Sequence, residues 1–230
     1  SPRTGGIPVQ RPSQCLRRQR RRYTRIRYPV FPDESDRAVV HGISYPQRDV
    51  RENLVPRFAD GASGRFSIGL LHANVDNNTA HEAYAPCSKR DLEQASMDYW
   101  ALGHVHTRQV LRQSNPTIVY PGNPQGRNPN ERGARGVYLV DVDDAGRVDL
   151  AFHAVDLVRW ESAQIDISDL ETDQALLDAI EQRILDLSTE AEGRSLVVRL
   201  RLVGSGLLHD SLARPGFRGE LADHVNQMWS

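Results

Sequence analysis

Three histidines set the chemical question. His104 and His106 stand one residue apart behind a glycine in "YWALGHVHTRQV", residues 99–110, and His72 closes the apolar run "FSIGLLH". A neutral imidazole is a good ligand for zinc, manganese or iron. Residues at i and i+2 of an extended segment can point to one side of it, and Gly103 ahead of the pair lets the backbone turn sharply and approach a ligand. The spacing alone is weak: with eight histidines in 230 residues, His-x-His is expected roughly 0.3 times by chance. Requiring the preceding glycine lowers that to roughly 0.02.

A lone histidine at a strand end is ordinarily a hydrogen-bonded structural residue, and His72 gains its weight from the pair. In open α/β sheets the carboxyl ends of the strands are where ligand-binding residues gather. If the strands ending at His72 and Gly103 are parallel neighbours, three imidazoles converge at one sheet edge. Three histidines could hold a single zinc with an open fourth position. A two-metal centre would also need bridging carboxylates, because ions ~3.5–4 Å apart repel unless anions neutralise them. Asp76 follows His72 by four residues, and Asp98 precedes its strand at the end away from the histidines. Nothing in the pattern places His81, Glu82, Asp33 or Asp36.

The elements that must position these groups are legible in outline. "AVVHGISYP" and "FSIGLLHANV" read as strands, "SKRDLEQASM" as a helix with Ser88 as N-cap, and "DYWALG" as the strand that delivers His104. "TIVY" is a further strand closed by the turn "PGNP", and "GVYLVDV"–"DDAG"–"RVDLAFHAV" reads as a hairpin. Strand, helix, strand and then a run of strands predicts a layered α/β domain with some antiparallel pairing. Tyr99, Trp100 and Tyr120 fit its core better than a base-stacking surface. Near Trp160 the texture changes. "DLETDQALLDAIEQRILDL" carries Leu176, Leu177, Ile180, Ile184 and Leu187 on one helical face, and "SLVVRLRLVG" alternates as a strand should. The organisation expected is an irregular arginine-rich segment over 1–35, an α/β domain over 36–158 and a small α+β unit over 159–230.

Composition bounds the setting. The net charge of -1 hides nine arginines and no acid in residues 1–28, which leaves 20 basic against 30 acidic residues elsewhere. Such an arm could bind nucleic-acid phosphates or be a solvated tail. Lys89 is the only lysine, and Cys15 and Cys87 are too few for a disulfide framework. No apolar stretch approaches the ~20 residues that span a bilayer, so a cytoplasmic protein with no membrane partner is expected.

With "GLLHANV", "YWALGHVHTRQVL" and "IVYPGNPQGRNPNERGARGVYLVDV" in view, the chain resembles the calcineurin-like metallophosphoesterases, and among them the SbcD-like bacterial DNA-repair exonucleases. The likeness runs from about Tyr28 to about residue 210. It implies a β-sandwich flanked by helices, two divalent metal ions of the manganese type, and phosphodiester hydrolysis on DNA. It also implies a capping segment from about residue 159 and an SMC-like coiled-coil ATPase as partner. By position, His72 and His104 would bind one ion and His106 the other. Asn123 would donate a hydrogen bond to the substrate phosphate from the Pro121–Gly122–Asn123 turn. Arg127, Arg132 and Arg135 follow in a loop that could meet phosphates.

The family's Asp-x-His, Gly-Asp-x-x-Asp and Gly-Asn-His-Asp segments do not occur in these 230 residues. The chain therefore reads as the second half of such an enzyme, with half the ligands and a sheet flank uncovered. Weak activity or none is expected of it alone, and association, as in a homodimer, is expected of the bare flank. A phosphoesterase for small phosphoesters or phosphoproteins, a non-catalytic binding remnant and a single-zinc hydrolase remain alternatives.

Overall fold

A computed structural model of the chain describes residues 24–29, 38–45, 50–58, 64–76 and 84–228. Its largest element is a mixed sheet in the order β1-β2-β3-β4-β6-β5. Four strands, β2 (Ala38–Ser44), β3 (Phe66–His72), β4 (Tyr99–Gly103) and β6 (Thr117–Tyr120), run parallel to one another. The edges, β1 (Thr24–Pro29) and β5 (Gln109–Arg112), are antiparallel to their neighbours. The α/β class is as the sequence predicts.

Of the parallel strands only β6, "TIVY", is buried at every position, whereas β3 alternates and leaves Leu70 45% exposed on the open face. Trp100 and Tyr120 anchor the main core on one face of the sheet, with Phe58, Leu54, Leu92 and Leu102 around them. The Trp100 indole N–H donates to Leu92 O at 3.0 Å, and Phe58 meets its ring edge-on with centroids 4.9 Å apart. The Gly69 backbone passes so close to this indole that a Cβ there would overlap it. Tyr99, Trp100 and Tyr120 are thus core residues. The short helix α1 (Lys89–Gln94) is started by Ser88, whose hydroxyl accepts from the Asp91 N–H while the Asp91 carboxylate accepts from the Ser88 N–H. That reciprocal pair is a capping box.

The hairpin pairs β7 (Gly136–Val142) with β8 (Val148–Ala154). Next comes β9 (Val158–Asp166), then α2 (Asp173–Glu190) and β10 (Ser195–Val203), which lies parallel to β9. A βαβ unit of this kind buries one helix stripe on its strands. Leu176, Ile180, Ile184 and Leu187 are that stripe, and Ile165, Ile167 and Leu208 complete a second core. Two short helices, α3 (His209–Ala213) and α4 (Phe217–Met228), follow.

Two differences from the sequence expectation stand out. Thr24–Pro29 is a strand although it falls in the segment expected to be irregular. In "TRIRYP" Ile26 and Tyr28 alternate with arginines, a period-2 pattern that pairing with β2 can use. The rest of the 1–35 segment lies outside the described residues. The second difference is β9, whose polar sequence becomes a strand through its partner β10. No helix among the described residues is long and apolar enough to cross a membrane.

Candidate metal centre

β3 and β4 are parallel neighbours with His72 opposite Gly103, so the two strands end together. The His72 and His104 rings meet edge-on there, with centroids 5.2 Å apart and planes inclined at 68°. Tyr84 meets both rings edge-on at 6.4 and 5.3 Å, and Tyr45 meets His72 at 6.3 Å. A Cβ at position 103 would stand 2.8 Å from His72 Nδ1, so glycine is what lets that imidazole lie across the end of β4. The chain then turns through His104 at φ 98°, a backbone conformation side-chain-bearing residues seldom adopt. Conformations of this sort cost of order 1–3 kcal/mol and persist where the surrounding structure enforces them.

The segment after His72 is pinned from β6. The Tyr120 hydroxyl donates to Ala73 O at 2.6 Å and accepts from the Val75 N–H at 3.2 Å. Burial pushes the Tyr120 pKa up to about 12, so it keeps the proton it donates. The His72 imidazole is shifted downward, first by burial and then by the neighbouring His106, which favours the neutral form with a lone pair to offer.

His106 belongs to a second network. Its Nδ1 lies 2.7 Å from Glu131 Oε1, while Glu131 Oε2 accepts from Asn123 Nδ2 and the Arg127 N–H, both at 2.8 Å. Burial raises the Glu131 pKa, but the hydrogen bonds from His106, Arg127 and Asn123 outweigh it and hold the carboxyl at about 2. Arg135 is buried. Its Nη1 donates to His106 O at 2.5 Å and Asn123 Oδ1 at 3.1 Å, and Nη2 donates to Arg132 O at 2.9 Å. The Asn123 N–H also donates to His106 O, and Gly122 at φ 80° brings the turn so near that a Cβ would stand 2.7 Å from that oxygen. Gln125 and Trp160 tie the loop to β9: Gln125 Nε2 donates to Val158 O, and the Trp160 indole donates to Gly126 O.

The sequence-derived residues therefore fall into three groups. His72 and His104 are in contact. His106, Asn123 and Arg135 meet in the network around Glu131, with Asn123 and Arg135 turned toward protein groups. Arg127 and Arg132 are exposed on the same loop. The carboxylates considered as bridges are engaged elsewhere: Asp98 accepts from the Ser67 N–H at the start of β3, and Asp76 accepts from the Lys89 N–H at the start of α1. His81, Glu82, Asp33 and Asp36 lie outside the described residues.

Glu131 is the site residue that sequence reasoning passes over. The only signal is a lone acid among Arg127, Arg132 and Arg135. As donors the imidazoles suit a divalent ion of borderline character. Among the described residues, however, no group of three or more His, Cys, Asp or Glu side chains is arranged to hold an ion. The donor chemistry fits a metal, and the set these residues supply is partial.

A parallel sheet presenting histidines at the carboxyl ends of adjacent strands defines a class, that of α/β proteins with a candidate metal site at the strand ends. Sequence comparison then relates this chain to the metallophosphoesterases. Residues 160–230 match the model of the middle domain of metallophosphoesterase YhaO. The chain is also 37% identical over 168 residues to the uncharacterized metallophosphoesterase YhaO of Bacillus subtilis (strain 168), an alignment covering 73% of this chain and 40% of that protein. The chain thus spans about two fifths of the length of the curated relative it matches.

Proposed function

We propose that this chain supplies the histidine half of a metal-dependent phosphoesterase centre, with His72 and His104 binding one divalent ion and His106 the other. The observation that carries the reading is the parallel pairing of β3 with β4, which sets the His72 and His104 rings 5.2 Å apart on a strained turn. When bound, such ions activate a water and offset charge on the phosphate. The chain's own residues orient the donors: Gly103 makes room for His72, Tyr120 fixes the segment after it, and the 121–135 loop grips His106.

Manganese as the metal and DNA as the substrate follow from the family resemblance. The exposed Arg127 and Arg132 beside the site agree with a phosphate backbone as substrate. A coiled-coil ATPase partner and a homodimer belong to the same reading, as does a role for residues 159–230 in holding DNA. Three neutral imidazoles bring no negative charge to set against two divalent cations. Phosphodiester hydrolysis by this chain alone is accordingly weak or absent until carboxylates join from elsewhere.

The test is Mn2+ uptake and degradation of end-labelled duplex DNA by the purified chain beside His104→Ala. Mn2+ uptake that the substitution abolishes, with little DNA degradation, is the expected result. Degradation lost in the mutant would show that other residues complete the centre. Equal Mn2+ uptake by both proteins would remove the histidine assignment. DNA affinity falling steeply with salt is the corresponding expectation for a phosphate-reading surface.

A further inference from the structure

The 121–135 loop closes around one acceptor, the Glu131 carboxylate. Glu131 places one carboxylate oxygen on His106 Nδ1 and gives the other to two donors, Asn123 Nδ2 and the Arg127 N–H. Its side chain is 11% exposed while the His106 side chain is 46% exposed, so the imidazole is held on its buried side and open on the other. An ionised carboxylate only accepts hydrogen bonds, so the nitrogen it faces must carry hydrogen. In a neutral imidazole the other nitrogen then carries the lone pair.

We infer that Glu131 is a positioning residue which fixes His106 as the Nδ1–H tautomer and leaves Nε2 as its ligating atom, with Asn123 and Arg135 bracing the pair. This rests on the reading of His106 as a metal ligand. Carboxylates in this relation to a ligating histidine fix ring orientation and raise ligand basicity. The brace explains why Asn123 and Arg135 are turned inward. Asn123 Nδ2 is shared between Glu131 and Gln125 O, and Arg135 Nη1 spans Asn123 Oδ1 and His106 O.

Glu131→Gln gives a specific reversal. The Oε2 position receives two N–H donors, so the amide oxygen must occupy it and the amide NH2 must face His106 Nδ1. That nitrogen can then only accept, and the hydrogen moves to Nε2. Long-range 1H–15N correlations of the metal-free full chain at mildly alkaline pH read the tautomer directly. The wild-type chain is expected to show His106 protonated at Nδ1, and Glu131→Gln to show it protonated at Nε2 with His72 and His104 unchanged. Mn2+ affinity should fall about 10–100-fold in the same variant. A wild-type His106 protonated at Nε2, or the same tautomer in both proteins, overturns the inference. The wild-type spectrum decides alone if the variant does not fold. Absence of Mn2+ uptake by wild type would instead overturn the ligand reading, because the tautomer is measured without metal.

Discussion

The two cores of this molecule obey different rules. Around β9, α2 and β10 the chain follows local preference closely. β10 alternates exposed and half-buried residues along its length, and α2 begins at Thr172, whose hydroxyl accepts from the Ala175 N–H, and buries one stripe. Around β3, β4 and β6 the strands are short and packed on large aromatics, and the backbone takes a positive φ at Asp76, Ala85 and His104, against Glu192 alone among the described non-glycine residues of the other region. Departures of this kind cluster where the surroundings over-determine them, as functional sites do. The difference teaches that the imidazoles are placed by register between strands, while the second region is shaped by its own periodicity.

The largest effect is expected at the seam between the two. Asp156 follows β8, and its buried carboxylate accepts from Arg159 Nε at 3.0 Å and Nη2 at 3.2 Å, with Arg194 Nε 3.3 Å away. Arg159 also donates to Glu190 O and Arg194 to Ala154 O, while the Val155 and Asp156 N–H groups donate to Arg135 O at the end of the 121–135 loop, so these groups join that loop to the end of α2 and the start of β10. Asp156→Ala strands two guanidinium groups beside a cavity, and loss of one partner from a buried pair costs about 3–5 kcal/mol. Chemical denaturation should show that loss, and a change below about 1 kcal/mol would mean the seam does not hold the regions together. The same carboxylate sets an acid limit. Burial raises its pKa, the Arg159 bonds outweigh this, and the net shift is below the ordinary 3.8. Its contribution is therefore complete above the unfolded-state pKa and disappears as pH falls below about 3.8 through the folded value. Asp156→Asn should flatten that acid-side slope.

Next in size is Ile180→Ala in the second core. Ile180 is 1% exposed, and truncating such a residue costs about 2–5 kcal/mol. If the second region is shaped by itself, hydrogen exchange should quicken in β9, α2 and β10 while the His72 and His104 imidazole signals stay put. Movement of those signals would erase the distinction between the regions.

How much of this the sequence shows follows the same division. The sequence marks His72 and Gly103 as the ends of apolar strands but leaves their convergence conditional on parallel pairing, which the register of β3 with β4 supplies. The stripe of α2 was visible as a 3.6-residue period. β9 was not, because Arg159, Glu161 and Gln164 mask its alternation and Arg159 is buried only by grace of Asp156. β5 is four residues long with a register shift against β6, too short for any period to register. Glu131 was hidden because nothing local marks an acid as buried; its partners lie up to 25 residues away. The inward turn of Asn123 and Arg135 was hidden for the same reason.

A smaller effect probes the register itself. Gly103→Ala puts a Cβ 2.8 Å from His72 Nδ1, which the ring must yield to. Overpacking of this kind costs typically about 1–3 kcal/mol, and the displaced imidazole should weaken Mn2+ uptake more than it weakens the fold. A variant that binds Mn2+ as wild type does would show that His72 needs no such accommodation.

The smallest expected effect runs against the usual sign. Glycine normally destabilises a regular position by roughly 0.5–1 kcal/mol relative to alanine, because the unfolded chain gains freedom. At φ 98° that order should reverse. His104→Ala keeps a Cβ in a conformation that disfavours one, whereas His104→Gly removes the Cβ and with it a strain of order 1–3 kcal/mol. Set against the entropy term, His104→Gly should be more stable than His104→Ala by about 1 kcal/mol in denaturant titrations, and both should lose Mn2+ uptake. Stability gained by removing only the Cβ would show that any side chain at position 104 is held in a strained backbone. If alanine proves as stable as glycine, the turn at His104 is relaxed, and its unusual φ says nothing about function.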